Sequence, residues 1–145
     1  MKILVDADAC PVKKIIVRLA KEKKLPVIML IDTSHVLNDG YSTVITVDKG
    51  RDSADIRLVN LIEPGDVVVT QDFGVAAMAL AREAYALNQN GMEYNSGNMD
   101  RLLFERALGQ EIRRAGGRTG HIRKRTKADD AAFEASFRRI LEERE

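Results

Sequence analysis

The chain has 145 residues, 45% of them hydrophobic and 31% charged, enough to bury one substantial core and short for two independent ones. A net charge of +1 gives no global case for binding nucleic acid or a membrane surface, and a single cysteine excludes an internal disulfide. The first apolar run meets acid directly after Val5, too soon for a secretion signal or a membrane span, so one soluble, cytoplasmic domain over residues 1–145 is expected.

Lys2 to Val5 reads as a strand that stops at Asp6 and Asp8. Val12, Ile15, Ile16, Leu19 and Ala20 recur at helical spacing and predict a helix from Val12 to Lys23, with Pro11 suited to its first turn. Leu25 to Ile31 is a second apolar strand, and the β-branched run Thr43 to Val47 a third, after a turn-rich stretch through Asn38-Asp39-Gly40. Asp52 or Ser53 caps a helix ending near Ile62, and Pro64-Gly65 stops it. Asp66 to Thr70 is the strongest strand signal in the chain and ends at Gln71-Asp72. A small, apolar helix follows from Phe73 to Ala81, then a short strand over Ala84 to Leu87 and a turn through Asn88, Asn90 and Gly91. Asn95-Ser96-Gly97 leads into a helix from Asn98 to Arg114, stopped by Gly116-Gly117, and Ala131 to Glu143 forms an amphipathic helix that docks back on the body. Strands alternating with helices imply right-handed crossovers: a three-layer α/β sandwich around a mostly parallel sheet of four to five strands.

The chemistry follows from where the acids fall. Asp6 and Asp8 follow the first strand, Asp52 and Asp55 sit at a helix start, and Asp72 follows the valine strand, so separate segments deliver carboxylates to one crevice at the strand ends. Two anions about 4 Å apart repel by roughly 4 kcal/mol at an effective dielectric near 20. Such a cluster is tolerated in water, with a shared proton, or around a cation. Hard divalent ions, Mg²⁺ or Mn²⁺, suit these oxygen ligands and would support metal-dependent hydrolysis of a phosphodiester. The candidate metal ligands are therefore Asp6, Asp8, Asp52, Asp55 and Asp72, with Asp6, Asp8, Asp55 and Asp72 as the candidate catalytic set. Each has a plainer reading, as a turn acid or as a helix cap favoured by the dipole.

No acid lies between Glu111 and Asp129, whereas Arg113, Arg114, Arg118, Arg123, Lys124, Arg125 and Lys127 fall there. This basic strip is the candidate nucleic-acid contact, although a solvated loop explains it as well. Cys10 near a helix start invites a nucleophile reading, but Asp8 opposes thiolate formation and neither His35 nor His121 sits in a partner motif. The same residues give no standard zinc spacing. Asn95 to Asn98 offers backbone N–H groups to a phosphate or, equally, a simple helix cap.

Asp6-Ala-Asp8-Ala-Cys10-Pro11, Gly50-Arg-Asp52-Ser-Ala54-Asp55, Gly65-Asp66-Val-Val-Val-Thr70-Gln-Asp72, Arg106 and Gly117-Arg-Thr119-Gly120 together resemble the YaiI/YqxD family of small bacterial proteins, nearly end to end. The family continues Thr119-Gly120 with a Gly-Pro pair where this chain has His121-Ile122. The family in turn resembles PIN-like nucleases, which bind Mg²⁺ or Mn²⁺ through strand-end acids. The resemblance implies that Asp6, Asp55 and Asp72 match the acidic motifs, with Asp8 and Asp52 as neighbours, and that the substrate is nucleic acid, RNA sooner than DNA. Two rivals stand beside this expectation. One is a non-catalytic RNA-binding or regulatory module with a vestigial pocket; the other is a phosphatase similar to the haloacid dehalogenases, with Asp6 as nucleophile and Asp8 as general acid. Few aromatic residues argue against recognition by base stacking, and oligomeric state is not legible.

Overall fold

The computed structural model describes residues 1–32, 37–47, 53–114, 116 and 124–143. In chain order these form β1 (Ile3–Asp6), α1 (Lys13–Lys23), β2 (Val27–Asp32), β3 (Thr43–Val47), α2 (Ser53–Leu61), β4 (Val67–Val69), α3 (Phe73–Ala81), β5 (Tyr85–Leu87), α4 (Ser96–Arg114) and α5 (Lys127–Glu143). The strands make one sheet in the order β3-β2-β1-β4-β5, parallel throughout. Central β1 sets the register, with Ile3 opposite Val27 of β2 on one side and Val67 of β4 on the other.

Both faces of the sheet are covered, which is why β1, β2 and β4 read as continuous apolar runs. Ile3, Val5, Val27, Met29, Ile31, Val67, Val69 and Leu87 pack toward α1 and α5, where Phe133 and Phe137 stack with ring centroids 5.3 Å apart. Leu4, Leu30, Val68 and Ala86 point the other way, onto α2, α3 and the first turn of α4 through Leu58, Val75, Ala76, Ala79 and Met99. The architecture is the expected three-layer α/β sandwich. Among the described residues no helix is long and apolar enough to cross a membrane.

Several boundaries differ from the expected ones: β2 runs Val27–Asp32 rather than Leu25 to Ile31, and β4 and β5 are trimmed to Val67–Val69 and Tyr85–Leu87. Three further differences have a hydrogen-bonding reason. α5 begins at Lys127 rather than Ala131 because Thr126 and Asp129 cap it reciprocally: Thr126 N donates to Asp129 Oδ2 at 2.9 Å and Asp129 N to Thr126 Oγ1 at 3.4 Å. Asn95 and Asn98 do the same for α4, at 2.9 and 2.8 Å, moving its start to Ser96. Pro11 lies outside α1, ahead of its Val12 N-cap, because the chain first turns through Ala7 to Cys10, with Cys10 N donating to Ala7 O at 3.2 Å and Ala9 left-handed at φ 59°.

The strand order places one topological switch at the β1/β4 boundary. From β1 the chain moves to β2 and β3; from β4 it moves the opposite way, to β5. Loops leaving β1 and β4 at their carboxyl ends therefore diverge and leave a crevice between them, the place where α/β sheets bind ligands.

Candidate functional site

Asp6, the last residue of β1, and Thr70, immediately after β4, extend the register that pairs Val5 with Val69. Strand alternation turns both toward the α2/α3 layer, on the side of Leu4 and Val68. Buried Thr70 is the hub of the crevice: its Oγ1 donates to Asp6 Oδ2 at 3.2 Å and accepts from Asp72 N at 3.0 Å. Its carbonyl accepts from Tyr94 Oη at 3.2 Å, and the Tyr94 ring meets Phe73 edge-on at 6.0 Å. Asp72 caps α3, accepting from Val75 N at 3.1 Å through Oδ1. The plainer reading of the T-x-D sequence as a helix cap is thus correct, and it fixes the Asp72 carboxylate beside Asp6. Space beside that carboxylate is limited, since a Cβ on Gly74 would come within 3.1 Å of Asp72 Oδ1.

Asp55, in the first turn of α2, faces Asp72 across a cleft of about 310 Å³ whose other walls include Ile56, Val59, Val75 and Met78. Asp8 sits on the β1–α1 loop and accepts from Asp32 N at 3.2 Å through Oδ2, tying that loop to the end of β2. The carboxylates of Asp55, Asp72 and Asp8 all act on Asp6, whose pKa is pushed up to about 6, first by burial, then by Asp55, Asp72 and Asp8, against the lowering hydrogen bond from Thr70. The structure therefore brings Asp6, Asp8, Asp55 and Asp72 into one electrostatic neighbourhood. It does not pack them into a direct chelate: among the described residues no three of His, Cys, Asp and Glu are grouped so as to hold a metal ion. Asp52 lies outside the described residues.

The donor chemistry nevertheless fits a hard cation. Asp6, Asp55, Asp72 and Asp8 offer oxygen only, and Mg²⁺ is usually held by one or two carboxylates with several waters kept between ion and protein. The same arrangement fits no soft metal. Cys10 is buried, and burial pushes its thiol up, away from the nucleophilic thiolate, so it packs as a small apolar residue. His35 and His121 lie outside the described residues.

Part of the basic strip lies among the described residues. Arg113 and Arg114 close α4, Lys124 and Lys127 are exposed beside the start of α5, and Arg118 and Arg123 lie outside the described residues. Arg125 is a brace. Its guanidinium donates to Asp130 Oδ1, Asn90 Oδ1 and Gln89 O, each at 2.8 Å, pinning the start of α5 to the loop after β5. It also lines a polar cleft of about 440 Å³ with Ala9, Pro11, Gln71 and Gln89, at the same edge of the sheet as the carboxylates. Arg106 of α4 lies 5.8 Å from the centroid of Phe73, the residue after Asp72, and so puts a second cation near the crevice. The Asn95–Asn98 segment is accounted for by its reciprocal cap. Sequence reasoning missed Thr70 and Tyr94 as site residues; the signal available for Thr70 was its place in the valine strand, in phase with Asp6.

A family model described as "Uncharacterized BCR, YaiI/YqxD family" matches residues 4–143. The chain belongs to the YaiI/YqxD family. A "UPF0178 protein" from Ruminiclostridium cellulolyticum is 70% identical over 137 residues, covering 94% of this chain and 90% of the relative. One from Alkaliphilus oremlandii is 54% identical over 143 residues, covering 99% and 92%. Another from Exiguobacterium sibiricum is 49% identical over 144 residues, covering 99% of each. No solved structure matches this chain.

Proposed function

We propose that this YaiI/YqxD protein is a metal-dependent phosphodiesterase of PIN-like type that hydrolyses RNA or structured nucleic acid at the β1/β4 crevice. The observation that supports this reading is Asp6, held at the topological switch point, where burial first and then the carboxylates of Asp55, Asp72 and Asp8 push its pKa up to about 6. A fold tolerates such repulsion where a cation or a proton is to be received. Asp6, Asp55 and Asp72 would hold Mg²⁺ or Mn²⁺, and Asp8 would orient water beside it. When bound, the ion supplies an activated water and a counter-charge for the phosphate. Thr70 keeps Asp6 and Asp72 in fixed relation, and Tyr94 keeps Thr70 in place. Arg106, Lys124 and Lys127 would meet the phosphate backbone from the rim, a contact that reads shape and charge rather than base identity.

Incubating labelled single-stranded and duplex RNA and DNA with the full chain and Mn²⁺ or Mg²⁺ tests the proposal. Cleavage abolished by chelator and by Asp6→Asn and Asp72→Asn supports it. No cleavage, together with no metal-induced rise in melting temperature, overturns it. A second reading, a nucleic-acid-binding module without turnover, draws on the lack of a direct three-acid chelate among the described residues. It predicts RNA binding in chelator that Asp6→Asn leaves unchanged or strengthens. A phosphorylated Asp6 trapped from a phosphate ester would favour the phosphatase instead.

A further inference from the structure

α4 is amphipathic twice over. It spans 19 residues, about 28 Å at 1.5 Å per residue, and its inner side packs through Met99 and Leu102 onto the α2/α3 layer and lays Arg106 over Phe73. A surface helix ordinarily carries one apolar stripe and a polar remainder. Here Phe104, Leu108 and Ile112 recur at i, i+4 and i+8 on the side away from Met99 and Leu102, with 68, 50 and 37% of their surface exposed. Of the seven exposed large apolar side chains among the described residues, four, these three and Leu103, lie on this helix.

We infer that the outer face of α4 docks against the same face of a second copy of this chain, with the two helices antiparallel about a two-fold axis that crosses the outer face midway between Phe104 and Leu108. The charges select both the occupant and its direction. Exposed Arg101 stands three residues before Phe104 and exposed Glu111 three residues after Leu108, so positions 101, 104, 108 and 111 mirror one another about residue 106, apolar against apolar and base against acid, while Ile112, whose mirror is exposed Asp100, lies outside this symmetric set. Turned end for end, the face meets itself with Phe104 against the partner's Leu108 and Arg101 against the partner's Glu111, each pair formed twice. A parallel pairing would set Arg101 against Arg101 and Glu111 against Glu111, which repel. An isologous contact is the commonest closed symmetry for a soluble oligomer. A single helix pair buries little more than the roughly 1,000 Å² that a specific interface needs, so the dimer is reversible.

Sedimentation velocity of the full chain, from micromolar to near-millimolar concentration, tests the inference independently of any nuclease activity. The expected result is an average mass that climbs toward twice that of the monomer. Phe104→Glu is expected to weaken the dimer about 10-fold or more. It should leave helical content and melting temperature near wild type, because the side chain is exposed. Arg101→Glu and Glu111→Arg should each weaken association several-fold, and the double variant Arg101→Glu/Glu111→Arg should restore it, since the exchanged charges meet again. A monomer at every concentration, a dimer indifferent to Phe104→Glu, or a double variant as weak as the singles would each overturn the inference.

Discussion

Two aspartates lie at opposite ends of the same strand pair. Asp66, just ahead of β4, is buried and fully answered: Lys2 Nζ donates to Oδ2 at 2.6 Å, Glu63 N to Oδ2 at 2.8 Å, and Lys2 N to Oδ1 at 3.1 Å. Asp6, at the far end of β1, has the Thr70 hydroxyl and three neighbouring carboxylates. Both are acids at the edge of one parallel sheet, yet the first ties the chain together and the second stores repulsion. A carboxylate matched to a cation and to backbone donors serves stability; one surrounded by its own kind costs stability and points to a ligand.

The comparison breaks most sharply in activity. Asp6→Asn is expected to lower metal-dependent cleavage by about 10²-fold or more while leaving the fold intact, and a variant that cleaves like wild type would remove Asp6 from the chemistry. Asp66→Ala should do the reverse, costing about 3 kcal/mol in urea unfolding by stranding Lys2 and the Glu63 N–H, with cleavage per folded molecule unchanged. Saturating Mn²⁺ should stabilise wild type by roughly 3 kcal/mol at a hundredfold excess over its dissociation constant, read as a rise in melting temperature that Asp6→Asn reduces and Asp66→Ala does not.

Proton linkage gives a smaller effect. The Asp6 pKa is raised from the ordinary 3.8 to about 6, so the folded state holds this proton more tightly than the unfolded chain does. Its stabilising contribution is complete below pH 3.8 and is lost as pH rises through 6, about 2 kcal/mol after allowance for partial solvent screening. Unfolding of wild type and Asp6→Asn across pH 4 to 7 should therefore diverge by that amount in metal-free buffer, and Mn²⁺ should close the gap at the upper end. The smallest effect belongs to Thr70→Val. Losing the hydroxyl should cost about 1 kcal/mol and raise the Asp6 pKa further, because the hydrogen bond it removes is the one that lowers it.

The fold was legible because its signals are local. Apolar runs two or three residues deep in valine and isoleucine, separated by helical periodicity, leave few arrangements besides a covered parallel sheet. Asp6 and Asp72 were legible for the same reason, since a strand that ends in acid ends at the carboxyl edge where such folds bind. Thr70 was hidden inside the run that made β4 so evident; only the register of β1 against β4 shows that its hydroxyl reaches Asp6. The bracing role of Arg125 was hidden, because its partners Asn90 and Gln89 lie 35 and 36 residues away along the chain. The early start of α5 was missed for want of weighing a polar cap against an apolar stripe.

The cover supplied by α5 has a consequence for how the protein is made. Phe133, Phe137, Ile140 and Leu141 close one face over strands that include β1, and Arg138 reaches back to Glu22 across 116 residues. A ribosome adding about 5–20 residues per second needs about 6 to 23 s to traverse that interval. Until α5 has been made and docked, that apolar face of the sheet lacks its cover.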